Sequence, residues 1–161
     1  MELSQYLFFL LQEAIRLYWA AFLYNPGIYL VWLWNRKTVI PLDLGANFSG
    51  KRLIGDSRSF DGLLLSIAFG ITGVFITASY IPFFASVGAN FGTVVSSFVK
   101  RRLGFTRGRH AWLIDEFDFI AGAALFVSFI EPFNPGVFVF AAACAFILHN
   151  AANLWVRPKL D

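Results

Sequence analysis

Polar and apolar positions alternate along this chain in long blocks rather than residue by residue. Apolar runs cover approximately residues 6–34, 60–79, 82–99, 113–130 and 136–155. A helix that crosses a bilayer needs about 20 mainly apolar residues, and the runs lack the strict alternation of transmembrane barrel strands. The pattern predicts an all-α integral membrane protein with five transmembrane helices in one domain, residues 1–161.

The first apolar run is too long for one simple span, and it contains Asn25-Pro26-Gly27. Because proline removes a helical hydrogen bond, a kink or break is expected there. We interpret the run as an outer segment from about Leu3 followed by one span that ends at Trp34, with a re-entrant pair as the alternative. Glu13 and Arg16 are one helical turn apart and are expected to pair at the outer interface.

The third run has two different faces. Gly88, Gly92 and Ser96 recur at four-residue spacing, a pattern that lets the backbones of two membrane helices approach closely. A second stripe at helical spacing is polar. It consists of Ser86, Asn90, Thr93, Ser97 and Arg101.

Composition supports the membrane interpretation and narrows the function classes. Hydrophobic residues make up 58% of the chain and charged residues 14%, whereas soluble domains carry about 25% charged residues. The one cysteine, Cys144, excludes a disulfide framework within the chain. No nucleic-acid partner is expected, because basic and aromatic residues do not interleave as in a nucleic-acid-binding module.

The distribution of basic residues predicts the topology. Of the 13 Lys and Arg residues, five lie between the first two spans, five lie between the third and fourth, and two lie in the tail; Arg16 is the exception. By the positive-inside rule this arrangement places the N-terminus outside and the C-terminus in the cytoplasm. The charged segments then converge on a polar active-site chamber at the cytoplasmic end of a multi-pass protein of the cell membrane.

The segment 43–62 is the longest polar stretch and is punctuated by glycines. Lys51 and Arg52 lie between two of these glycines, and Asp56 follows Gly55. The segment is either a solvated cytoplasmic loop or a site where cations and exposed N–H groups hold a polyphosphate. Lys100, Arg101 and Arg102 allow the same two interpretations.

Asp115 and Asp118 are three residues apart at the start of the fourth span. Carboxylates are common at helix starts because the helix dipole favours them there. The same pair is also typical of a Mg²⁺ site, in which one or two carboxylates act together with substrate phosphates. His149 and Asn153, four residues apart on the last span, suit interhelical hydrogen bonding or substrate contact.

These motifs together resemble those of CDP-archaeol synthases, which are membrane cytidylyltransferases of archaeal lipid synthesis, and more distantly those of bacterial CDP-diacylglycerol synthases. The resemblance rests on the segments Leu42-Asp43, Gly50-Lys51-Arg52, Gly55-Asp56, Asn90-Phe91-Gly92, Ser97 to Gly104, Leu113 to Phe119, and His149 with Asn153. It implies that CTP reacts with 2,3-bis-O-(geranylgeranyl)glycerol phosphate, in a Mg²⁺-dependent reaction, to give CDP-archaeol and pyrophosphate.

The resemblance also implies roles for individual residues. The expected catalytic set is Lys51, Arg52, Asp56, Lys100, Arg101, Asp115 and Asp118. The expected substrate contacts are Asp43, Arg58, Asn90, Ser97, Arg102, His149 and Asn153. Mg²⁺ is expected on Asp56, Asp115 and Asp118.

The chain departs from the family pattern after Gly55-Asp56. Arg58 and Ser59 stand where the family has lysine and threonine, and Asp61 replaces an arginine, which puts a phosphate contact there in doubt. Glu116 replaces a glutamine. Three other functions are alternatives: a small transporter, a membrane scaffold, and a lipid kinase or phosphatase. No inverted repeat is visible, and five spans cannot be divided into two equal repeats, which disfavours a transporter.

Overall fold

The computed structural model describes residues 2–34, 40–55, 58–105 and 112–156, with side chains in 2–24, 40–55, 58–105, 114–148 and 150. Within these ranges the chain forms five helices and one small hairpin. They are α1 (Leu3–Trp34), β1 (Asn47–Phe48), β2 (Lys51–Arg52), α2 (Phe60–Thr77), α3 (Ile81–Arg102), α4 (Trp112–Val127) and α5 (Pro135–Val156). The predicted helical fold is confirmed, and the hairpin is the one element that the sequence pattern did not predict.

Three of the described segments are long and apolar enough to cross a membrane: Leu3–Tyr24, Phe60–Thr77 and Ile81–Arg102. The stretch Pro135–Leu148 is apolar but shorter. Helix α4 has 16 residues, which corresponds to about 24 Å and is less than the roughly 30 Å of a bilayer core. The three segments of spanning length indicate a membrane protein, and the five-span topology stays a prediction.

Helix α1 runs without interruption from Leu3 to Trp34, so no break occurs at Asn25-Pro26-Gly27 and no re-entrant pair forms, whereas the alternative of a kink stays a prediction. The helix packs against all four other helices. Membrane helices tolerate a proline where neighbouring helices or local adjustments satisfy the freed backbone groups.

Arg16 is neutralised at the end of the bundle that lies away from the hairpin. Its guanidinium is 2.8 Å from the carboxylate of Glu13 and 3.1 Å from that of Glu131, just beyond the end of α4. The predicted Glu13–Arg16 pair is confirmed. Arg16, the one basic residue outside the three basic segments, therefore has two acidic partners.

Helix α3 lies at the centre and packs against α1, α2 and α4. A side chain on Gly92 would clash with the carbonyl oxygen of Asp118, and one on Gly88 would clash with the carbonyl oxygen of Gly122. The predicted small-residue face is confirmed, and it faces α4. This contact brings the polar end of α3 against the acidic start of α4.

Candidate active site

Asp43 organises the loop that follows α1. Its buried carboxylate accepts hydrogen bonds from Arg52 Nη2 at 2.7 Å and from the backbone N–H groups of Gly55, Ile54 and Gly45 at 2.8, 3.0 and 3.1 Å. The Arg52 guanidinium, helped by these N–H groups, holds the pKa of Asp43 far below its usual range. A carboxylate so fully engaged within its own loop stabilises the loop.

The loop closes on itself through a tight hairpin. Ser49 and Gly50, between β1 and β2, both have positive φ, 52° and 73°, as a two-residue type I′ turn requires. Pro41 pairs with Ser59 in an isolated bridge, and the Ser59 hydroxyl caps α2 by accepting from the N–H of Gly62 at 3.2 Å. We call the described residues 40–55 and 58–59 the hairpin loop.

Arg101 and Arg102 attach the end of α3 to the hairpin loop. Arg102 donates to the carbonyl oxygens of Phe48 at 2.5 Å and Arg52 at 2.7 Å, and Arg101 donates to that of Ile54 at 3.3 Å. The sequence predicted a catalytic role for Arg101 and a substrate contact for Arg102. The structure gives both arginines a link between two elements, so their described contacts are structural.

A second polar cluster lies between α3 and α4. Lys100 forms an ion pair with Asp115, and their side chains are only 11% and 18% exposed. The Ser96 hydroxyl is 2.5 Å from Asp118 Oδ2. We call these four residues the α3–α4 seam. Of the predicted basic cluster, Lys100 meets the predicted carboxylate pair here, whereas the sequence pattern places Ser96 on the small-residue face and does not indicate a partner for its hydroxyl.

Arg58 reaches the seam from the hairpin loop. Its Nε donates to the Ser97 hydroxyl at 2.9 Å, and both Arg58 and Lys100 lie within electrostatic range of Asp118. Two cations from different elements therefore flank one carboxylate, and Arg58 and Ser97, both predicted substrate contacts, are brought together.

Tyr24 of α1 was not predicted to take part. Its side chain is 1% exposed, and its hydroxyl lies beside Asn90 and Thr93 and within range of Arg58. It forms the floor beneath the polar stripe of α3. An aromatic residue inside an apolar run carries no periodic signal that could have identified it.

Glu116 is also buried, with 1% of its surface exposed. It accepts a hydrogen bond from Asn150 Nδ2 at 3.1 Å, and its Oε2 has no partner among the described residues. The sequence stressed His149 and Asn153 instead, whose side chains lie outside the described residues. The described polar link between α4 and α5 is therefore Glu116–Asn150.

The remaining residues that the sequence singled out make few described contacts with the seam. Lys51 is exposed, with its Nζ 3.4 Å from the carbonyl oxygen of Arg102. Asp56 lies outside the described residues. Asp61 occupies the first turn of α2, where the helix dipole favours a carboxylate. The replacement of an arginine by Asp61 is therefore compatible with the local structure.

The seam fits a magnesium ion that is shared with substrate. No group of three or more metal-ligating side chains occurs among the described residues. Asp115 and Asp118 nevertheless provide two carboxylates on one helix turn, and Mg²⁺ typically takes one or two protein carboxylates and completes its shell with substrate phosphates and water. This donor set suits a phosphate-dependent ion better than a permanently caged one.

A buried polar cluster of cations and carboxylates in an apolar helix bundle indicates an intramembrane enzyme. Comparison with known proteins supports this class. The profile of the CarS-like CDP-archaeol synthase family matches residues 69–159. Proteins named CDP-archaeol synthase are 40% identical over 127 residues in Sulfurisphaera tokodaii, covering 73% of this chain and 76% of that protein. Those of Saccharolobus solfataricus and Sulfolobus acidocaldarius are 38% and 36% identical over 126 residues, covering 73% of this chain and 76% and 77% of those proteins.

A solved structure, described as an intramembrane enzyme for the biosynthesis of archaeal membrane lipids, superposes with a TM-score of 0.74 at 33% identity. The match covers 89% of this chain and 94% of that one. The chain belongs to the CDP-archaeol synthase family, a family of enzymes, and the resemblance seen in the motifs is confirmed. The transporter, scaffold, kinase and phosphatase alternatives receive no support from these relatives.

Proposed function

We propose that this chain transfers the cytidylyl group of CTP to 2,3-bis-O-(geranylgeranyl)glycerol phosphate, which gives CDP-archaeol and pyrophosphate. Family membership supports the reaction class. The observation that carries the proposal is the α3–α4 seam, where Lys100, Asp115 and Asp118 form one partly buried cluster beside Arg58. Such a cluster can bind phosphate groups and balance their charge.

The reaction needs little covalent help from the protein. A non-bridging oxygen of the lipid phosphate attacks the α-phosphorus of CTP, and a new P–O bond forms. The bond from that phosphorus to the oxygen that bridges it to the β-phosphorus breaks, and pyrophosphate leaves with the electron pair. No general base is needed because the attacking oxygen is already anionic. Positioning and charge neutralisation then supply most of the catalysis.

The residues of the seam divide this work. Arg58, which donates to Ser97, and Lys100, which pairs with Asp115, are the cations that would bind phosphate oxygens. Asp115 and Asp118 would hold Mg²⁺, which when bound neutralises charge on phosphate oxygens as a Lewis acid. Ser96 fixes the orientation of Asp118 through its short hydrogen bond. Lys51 is exposed on the hairpin loop and would meet the distal phosphates of CTP as they arrive from water.

The polar residues around the seam would orient other side chains rather than take part in the reaction. Asn90 and Ser97 lie on the buried stripe of α3, where they hold Tyr24 and Arg58 in place. His149, Asn153 and Asp56 keep their predicted roles in substrate and metal binding as proposals.

We assign the membrane orientation from charge. Five spans with the N-terminus outside and the C-terminus in the cytoplasm place the basic hairpin loop and the basic end of α3 inside the cell. The neutralisation of Arg16 by two glutamates at the opposite end of the bundle supports this orientation. The site then faces the cytoplasm of the cell membrane, so CTP arrives from water and the lipid phosphate arrives sideways from the inner leaflet.

One assay tests the function. Purified protein is mixed with the lipid phosphate, radiolabelled CTP and Mg²⁺, and the products are separated. We expect a nucleotide-linked lipid and an equal amount of pyrophosphate. Hydrolysis of CTP without a lipid product, or no use of CTP, would reject the proposal.

A further inference from the structure

A groove of about 380 Å³ runs along the outer side of the contact between α3 and α4. This volume lies within the 300–1,000 Å³ range of ligand pockets. On α3 its wall includes Phe91 and Val95, and on α4 it includes Phe117, Ala121 and Leu125. The lining is almost wholly apolar, so the groove lacks the polar surface that a nucleotide would require.

The groove follows from the way the two helices pack. At Gly88, Gly92 and Gly122 the two helices approach closely and no side chain separates their backbones, so larger residues on either side stand above a furrow. On α4 the residues four apart are Phe117, Ala121 and Leu125. Because the side chain of Ala121 is only a methyl group, the groove has more space at the middle of this wall than at the bulky residues on either side.

The two ends of the groove differ. One end is closed by Phe91, whose ring packs on Phe126 with 5.3 Å between ring centroids. At the other end the lining includes Ser96 and Asp118 of the seam. The groove therefore leads from the polar cluster of the site into the apolar body of the bundle. On α4 it extends from Ile114 to Leu125, which corresponds to about 16 Å along the helix.

The side of the groove is open to the surroundings of the bundle. Phe91, Val95 and Leu125 are 45%, 41% and 50% exposed, although they lie on the helices that bear the site. In a membrane these side chains meet lipid tails, and a molecule in the bilayer can enter sideways. Lipid tails are as apolar as the groove, so hydrophobicity gives no preference for one lipid. Shape and the charged end must provide the selection.

We infer that the α3–α4 groove binds one isoprenoid chain of the lipid phosphate while its phosphate lies at the seam. This inference rests on the proposed function. A long apolar chain with an anionic head matches a groove that is apolar along its length and reaches Ser96 and Asp118 of the seam, where Lys100 and Arg58 lie within electrostatic range of Asp118. The second chain of the same lipid stays in the bilayer. Ala121 is the residue whose size decides whether a branched chain fits.

The test is Ala121→Leu, with Ala143→Leu as its matched control. Ala143 is an exposed alanine on α5 outside the groove, so both variants add the same side chain to a surface that faces lipid. Each protein is assayed with the two-chain geranylgeranyl substrate and with a lipid phosphate that has two eight-carbon chains. The apparent KM for each lipid and for CTP is measured.

We expect Ala121→Leu to raise the KM for the geranylgeranyl substrate by about tenfold or more, the range for a changed fit in an apolar pocket. The KM for CTP should stay within twofold of wild type, the KM for the short-chain lipid should rise less than that for the geranylgeranyl substrate because an unbranched chain is narrower, and Ala143→Leu should match wild type throughout. Equal behaviour of the two variants would overturn the groove assignment. A wild-type protein that forms no nucleotide-linked lipid would instead reject the proposed function.

Photolabelling gives a second, direct measurement. A lipid phosphate that carries a diazirine midway along one chain should label peptides of α3 and α4 around Val95 and Ala121, and unlabelled lipid phosphate should compete. A phosphatidylcholine with the same diazirine serves as the control for bulk lipid. Equal labelling of these peptides by both probes would mean that the groove holds any membrane lipid, and it would overturn the proposal.

Discussion

The hairpin loop and the α3–α4 seam look alike in sequence but differ in how they use their charges. Each brings Lys or Arg together with aspartate. In the hairpin loop, Asp43 binds backbone N–H groups and Arg52, and Arg102 binds backbone carbonyl groups. In the seam, Lys100 and Asp115 bind each other through their side chains. The same residue types therefore stabilise the hairpin loop and form the polar cluster of the seam.

The difference teaches how to separate structural from catalytic charges at the polar end of a membrane enzyme. Backbone N–H and carbonyl groups are fixed parts of the fold, and a buried group that loses such a partner costs about 1–3 kcal/mol. An ion pair between two side chains can open and exchange partners when a phosphate arrives. Mutations of Asp43 and its partners in the hairpin loop should therefore lower stability first, and mutations in the seam should lower activity first.

Asp118→Asn should have the largest effect on activity. The change removes the negative charge beside Arg58 and Lys100 while Ser96 can still donate to the amide oxygen. We expect turnover to fall by at least about 100-fold, as when a single electrostatic group at a reacting centre is lost, with little change in melting temperature. Steady-state assay and thermal unfolding in detergent measure the two effects.

Asp61→Asn is the matched control, because Asp61 lies at the start of α2 rather than in the seam. It should keep activity within about twofold of wild type. If Asp118→Asn retained full Mg²⁺-dependent turnover, the assignment of Asp118 to the site would be wrong.

Lys100→Ala should have the next largest effect. Without its ammonium group, the seam loses one of the two cations that face phosphate oxygens. We expect the CTP concentration needed for half-maximal rate to rise about tenfold, roughly the worth of one charge-assisted hydrogen bond. An unchanged CTP dependence would show that this residue only marks the membrane boundary.

Asp43→Ala should chiefly destabilise the protein. Arg52 and the N–H groups of Ile54 and Gly55 lose their acceptor, so we expect unfolding to become easier by about 1.5–3 kcal/mol. Asp43→Asn keeps one acceptor oxygen and should lose less. If instead Asp43→Ala abolished turnover at unchanged melting temperature, Asp43 would be the substrate contact that the sequence predicted.

The helices could be predicted from the sequence because lipid imposes a length and an apolar composition on each span. The third run was predicted at 82–99 and forms Ile81–Arg102, and the glycines that mark its contact with α4 were visible as a periodic face. The break in α1 was wrongly predicted. Local proline chemistry indicates a break, but a membrane helix can continue through a proline where neighbouring groups satisfy the freed backbone carbonyl.

The detailed contacts of the site could not be predicted, because they depend on which partner each polar group meets. Ser96 has the spacing of a small packing residue, and only the approach of α4 shows that its hydroxyl meets Asp118. Likewise, only the folded hairpin loop shows that Arg101 and Arg102 donate to its backbone carbonyl groups, and their predicted roles in the reaction stay predictions. The hairpin itself has strands of two residues, which are too short to show an alternating pattern.

The smallest expected effect is a dependence of stability on pH that comes from Asp43. Its pKa is lowered in the folded protein, first by Arg52 and then by backbone N–H groups, whereas an unfolded aspartate titrates near about 3.9. At acid pH the unfolded chain therefore binds more protons than the folded one, and stability falls as pH falls. The contribution is complete above about pH 5 and is lost progressively below about pH 4.

The comparison of wild type with Asp43→Asn isolates this contribution, because the variant cannot titrate at this position. We expect the difference in melting temperature between the two proteins to stay constant from pH 7 to pH 5 and to shrink towards pH 3. A difference that persists unchanged at pH 3 would mean that the Asp43 charge does not hold the hairpin loop. A loss already between pH 7 and pH 5 would assign the effect to another group, since a carboxyl with a lowered pKa is fully ionised there.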